Sequence, residues 1–128
     1  MSGELQLALA YELSAENAPR FAADIVSQAA TQGITLDYSA ATVDYLDSVI
    51  TSLRAGGVTV EQIPEVLFSF GCVLGQCIPR STWVAASFAV PIGLRLADGT
   101  TVDPVGHAFA TLAAGDRFAT FYEAYAER

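Results

Sequence analysis

A chain of 128 residues with 52% hydrophobic and 16% charged content is long enough for one ordinary core and too apolar to stay unfolded. With only two cysteines it is no small disulfide scaffold, and its composition excludes a collagen-like repeat. The net charge of −8, fourteen acids against six bases, excludes the basic footprint that binding to nucleic acid or an anionic membrane requires.

The bases are all arginine, scattered singly at Arg20, Arg54, Arg80, Arg95, Arg117 and Arg128. An acidic exterior favours encounter with a basic protein, and otherwise confers solubility. Residues 1–4 carry no basic stretch of a secretory leader, and Glu4 and Glu12 interrupt the first apolar run. The uncharged run 66–79 is shorter than the ~20 residues a membrane helix needs. Five residues apart on one helix, Cys72 and Cys77 would point about 140° apart, so they cannot bridge. These features predict a single cytoplasmic domain over residues 1–128 with reduced, buried cysteines.

In residues 4–13 Leu5, Leu7, Leu9, Tyr11 and Leu13 alternate as in a strand, while the intervening Gln6, Ala8, Ala10 and Glu12 favour helix. The alternation tips the reading to a strand. A helix follows, capped by Asn17 with Pro19 in its first turn, carrying Phe21, Ile25, Val26 and Ala29 on one face and ended by Gly33. Residues 34–39 read as extended. Ser39 then caps a helix striped by Val43, Leu46, Ile50 and Leu53, which Gly56-Gly57 stops.

Thr59 and Gln62 have capping-box spacing, but Pro64 cannot sit in the interior of the same helix. A short turn and a fresh helix from Pro64 resolve the conflict. That helix, residues 65–78, is apolar nearly all round, as a helix through the middle of a domain should be, and Pro79 ends it. Residues 82–90 are rich in β-branched and aromatic side chains. Ile92, Leu94 and Leu96 alternate after Pro91, and Asp98-Gly99 predicts a tight hairpin into 100–102, with both central residues at positive φ. Asp103-Pro104 opens a helix closed by Gly115, and Asp116 caps a last helix striped by Phe118, Phe121, Tyr122 and Tyr125. The expected architecture is α+β, with helices packed on a small antiparallel sheet in the C-terminal half. Between Glu65 and Arg95 only Arg80 is charged, so that stretch is expected to form the core.

The order Leu36-Asp37-Tyr38-Ser39, then Phe70-Gly71-Cys72-Val73-Leu74-Gly75, then Trp83 and Asp103-Pro104 resembles a family of small bacterial domains of unknown function, over about residues 18–125. The resemblance implies an α+β fold. It supplies no reaction and no catalytic residue.

Candidate chemistry is sparse. His107 stands alone as a histidine, so it cannot build a multi-histidine metal site. Asp103, one turn earlier, could orient it as a general base, or could simply cap the helix. Gly71 and Gly75 cost about 1 kcal/mol each relative to Ala inside a helix. Close packing of another backbone would offset that cost; a ligand slot or a dimer seam is the sharper alternative. Arg80 and Arg95 flank Trp83 in sequence and could line a pocket with it, although Arg80 also suits the negative end of the core helix. Asp37, Asp44 and Asp47 read as the solvated acidic start of a helix and lack calcium-loop spacing. No phosphate loop, nucleophile elbow, zinc motif or C-x-x-C is present.

The expectation is therefore a non-enzymatic acidic interaction protein, accessory or immunity-type, with no cofactor and no metal. Its partner would be a protein, basic in charge, or a second copy of the chain. The alternative is a small-molecule binder or biosynthetic enzyme, with a pocket between the Gly71/Gly75 helix and the Trp83 strand. Gly71, Gly75, Arg80, Trp83, Arg95 and His107 would then line the site.

Overall fold

A computed structural model describes residues 11–126. These form five α-helices: α1 (Ala18–Ala30), α2 (Ala40–Ala55), α3 (Pro64–Gln76), α4 (Pro104–Ala114) and α5 (Phe118–Tyr125). Three strands, β1 (Thr82–Ala85), β2 (Ile92–Arg95) and β3 (Thr101–Val102), pair antiparallel in the order β1-β2-β3. The α+β class and the C-terminal position of the sheet are those the sequence predicts. No helix among the described residues is long and apolar enough to cross a membrane.

The largely apolar helix α3 occupies the centre. Leu67, Phe68, Phe70, Cys72, Val73 and Leu74 are buried along it, with α1 and α4 packed on it from two sides. Phe21 of α1 meets Phe68 edge to face at a ring separation of 4.8 Å. The α2 stripe of Val43, Leu46 and Ile50 is also buried, and α2 packs on α4 and α5. Burial of such side chains, about 1.5–3 kcal/mol each, is the main force holding this arrangement.

Local rules account for several element boundaries. The 3-10 turn Val60–Gln62 forms the predicted capping box, with Thr59 N donating to Gln62 Oε1 at 3.0 Å, and α3 starts afresh at Pro64. Asp103 Oδ1 accepts from Gly106 N at 2.8 Å and starts α4. Gly115 closes that helix at φ 83°, a left-handed conformation that a Cβ would strain.

Elsewhere the structure departs from expectation. Residues 4–10 lie outside the described residues, and residues 11–13 are not strand. Asn17 makes no side-chain cap to α1; its amide donates to Glu12 O at 2.9 Å instead. The core helix ends at Gln76, two residues before the expected limit. Strand β1 ends at Ala85, because residues 86–91 fold back and Phe88 lies over Gly93. The neutral stretch is thus interior only in part: Thr82, Ala85, Ser87 and Ala89 are exposed. The hairpin is not a two-residue loop. Leu96 O accepts from Gly99 N at 2.9 Å and Leu96 N donates to Thr100 O at 2.7 Å; Gly99 takes positive φ and Asp98 does not. That is the three-residue loop in which a glycine follows an ordinary turn.

The start of α2 is also built differently. Ser39 makes no side-chain cap. The buried Thr42 hydroxyl accepts from the amides of Asp37 and Tyr38 at 3.1 and 3.0 Å, and lies 3.3 Å from Asp37 Oδ1. This clamp holds Tyr38 at φ 63°, a conformation uncommon for a bulky side chain. Hydrogen bonds from the Ser39 hydroxyl and amide hold the Asp37 carboxyl below its ordinary value. That contribution to stability is present above the unfolded value, near 3.8, and is lost as pH falls through the folded one. Thr42→Val keeps the shape but leaves two amides without their acceptor, so it should cost about 2 kcal/mol in urea unfolding.

Both cysteines are free and buried. Burial pushes the Cys72 thiol far up, and burial and the nearby Asp37 push Cys77 up to about 12. Neither should react with a thiol reagent at pH 8 in the native chain, and both should react in denaturant.

Candidate functional site

The six residues the sequence nominates do not converge. Gly71 is where α3 meets α4: a Cβ there would stand 2.6 Å from Val105 Cα and 3.1 Å from Pro104 O. Gly75 instead seats the Trp83 indole, whose ring would collide with any side chain added there. The indole Nε1 donates to Gln76 Oε1 at 2.9 Å, tying β1 to the end of α3. The two glycines therefore admit two different neighbours, a backbone and an aromatic ring. Arg80 is exposed in the turn after α3 at φ 58°, and the carbonyl of Ile78 in that turn is met by the Ser81 hydroxyl at 2.7 Å. Arg95 is exposed at the end of β2, paired in register with Thr82 and Thr101.

His107 has a structural partner that its sequence neighbourhood did not announce. Its Nε2 lies 2.7 Å from Arg117 O. A carbonyl only accepts, so Nε2 carries the proton and donates it. The ring packs against Phe118 and Phe121, with centroids 6.5 and 5.2 Å away. Asp103 meanwhile holds the Gly106 amide. Of the two roles the sequence leaves to Asp103 it fills the helix cap, and His107 is fastened separately to Arg117 O.

The link between α4 and α5 is gripped a second time, from α2. Asp47, expected in a solvated acidic face, turns its carboxylate onto the first amides of α5. Phe118 N donates to Oδ1 at 2.6 Å and Ala119 N to Oδ2 at 3.0 Å. Its side chain is 13% exposed, and Arg117 stands 3.8 Å away. Asp116, the expected cap, is exposed and the α5 cap position falls on Arg117. Asp47 does the capping instead, because it lies where α2 crosses the start of α5, seventy-one residues away in sequence.

Two surface clefts stand out among the described residues. One, of roughly 250 Å³, is polar and lies over this link, lined by Asp47, Thr51, Arg54 and Arg117 among others. Three of its four charged residues are engaged: Arg54 Nε donates to Leu112 O at 3.1 Å and Arg117 pairs with Asp47, while Asp116 is exposed at its edge. It is a joint between helices. The other, of roughly 360 Å³, is apolar and is walled by Val60, Ala89, Val90, Val105, Gly106 and Phe109. Asp103 is the one charged residue on its lining. Burial raises the pKa of this carboxyl, against the opposing effects of the Gly106 amide and of His107. None of the six nominated residues lines either cleft.

The groove was hidden from sequence reasoning because its walls come from the 60–62 turn, the 86–91 loop and the first turns of α4. No local spacing links them. Among the described residues no group of three or more His, Cys, Asp or Glu is placed to hold a metal ion. No family model, curated protein or solved structure matches the chain.

Proposed function

We propose that this chain is a non-catalytic, acidic interaction protein of the cytoplasm that binds a protein partner. The observation that carries the reading is the apolar groove beside Asp103, open on the surface of a chain with net charge −8. An apolar concavity beside a lone charge suits a side chain presented by another protein. The roles of His107, Asp47 and Arg54 in fastening helix ends support the same reading, since their polar groups are committed to the fold. The small-molecule reading draws no support from the Gly71/Gly75 face, where Val105 and Trp83 fill the approach. Affinity capture from native lysate with a tagged chain tests the proposal. A partner recovered in fixed stoichiometry, with the chain eluting above monomer mass, is the expected result. A chain that elutes alone at monomer size overturns it.

A further inference from the structure

Three segments distant in sequence meet to form the apolar groove, and they leave one polar atom of Asp103 uncommitted. Oδ1 accepts from Gly106 N, whereas Oδ2 takes part in no hydrogen bond among the described residues. Oδ2 lies against Gly106, where any larger residue would collide with it. No buried side-chain oxygen or nitrogen among the described residues lacks a partner, so Oδ2 keeps contact with solvent, and both Asp103 and the Gly106 it lies against line the groove. A half-buried carboxylate beside an apolar wall has lost part of its hydration, and a cation brought to it would interact more strongly there than on open surface. Glu61, exposed on the same turn as Val60, adds negative charge at the edge, and the net charge of −8 steers cations towards the molecule.

Resting on the protein-binding reading above, we propose that the groove seats a partner segment in which a large apolar side chain is followed at once by Lys or Arg. The apolar side chain lies against Val90, Val105 and Phe109, and the cation meets Asp103 Oδ2. A segment of this kind uses both chemistries of the groove together; a purely apolar one would leave the carboxylate desolvated without compensation.

The test is an NMR titration of the full ¹⁵N-labelled chain with three blocked tetrapeptides. Their sequences are Ala-Leu-Arg-Ala, Ala-Leu-Glu-Ala and Ala-Ala-Arg-Ala. The Leu-Arg peptide is expected to shift the amides of Val90, Gly106 and Phe109 saturably, at least about tenfold more tightly than either other peptide. Asp103→Asn should abolish the preference for Arg over Glu while keeping α4 intact, because asparagine caps a helix as well as aspartate does. No saturable shift at millimolar Leu-Arg peptide overturns the proposal. So do equal responses to the Arg and Glu peptides, or shifts confined to other surfaces. Concentration-dependent shifts at the same amides without peptide would assign the groove to a second copy and overturn it too.

Ala89→Arg, an exposed substitution at the groove, separates this proposal from the broader one. A captured partner that binds this variant as well as the wild type removes the groove and leaves the protein-binding reading standing. A peptide response as expected, with no partner ever recovered, removes the latter and keeps the former.

Discussion

Gly71→Val should leave little folded protein at 37 °C. Even a single Cβ at this position would stand 2.6 Å from Val105 Cα, and the obstacle is backbone, which no rotamer change can relieve. Helices α3 and α4 would have to separate, opening the most buried part of the molecule. Overpacking typically costs about 1–3 kcal/mol, and a valine against main chain should lie at or above the top of that range. Gly71→Ala is the informative control: it regains about 1 kcal/mol of helix propensity and still meets the obstacle, so it too should lower the urea midpoint. An alanine variant as stable as the wild type would mean that the two helices do not cross this closely.

The second large effect is expected at Asp47→Ala. Two α5 amides would lose a charged acceptor, each such bond being worth about 1.5–3 kcal/mol. A net loss of about 3 kcal/mol is expected, with hydrogen-exchange protection falling first across residues 118–125. The Arg117 contact contributes little to this figure, because its side chain is 67% exposed and the separation is 3.8 Å. Asp47→Asn keeps one acceptor oxygen and should cost about half as much. If Arg117→Ala cost as much as Asp47→Ala, the ion pair and not the cap would be the fastening.

The contrast between these two positions shows what a sequence discloses. Gly71 and Gly75 announce close approach because a glycine inside a helix carries a cost that packing must offset, and both do admit a close neighbour. Caps that close within three residues, at Thr59–Gln62 and Asp103–Gly106, follow from spacing alone. Asp47 offers no such signal: an acid in mid-helix looks solvated until the fold brings another helix end onto it. The fastening of His107 is silent in the same way, since its hydrogen-bond partner is the carbonyl of Arg117, ten residues on and on the far side of a helix end. Strand β1 falls short of its propensity because the 86–91 loop turns Phe88 onto Gly93, a tertiary preference that overrides the local one. The groove is the least legible feature of all, assembled from side chains that are unremarkable in their own segments.

The grip of α2 on α5 bears on the order of assembly. An eight-residue helix is too short to persist alone, and its principal acceptor is supplied from seventy-one positions upstream. The C-terminal segment is therefore expected to order late, on a scaffold in which α2 and α4 are already packed. Mutations there would speed unfolding while leaving the refolding rate nearly untouched.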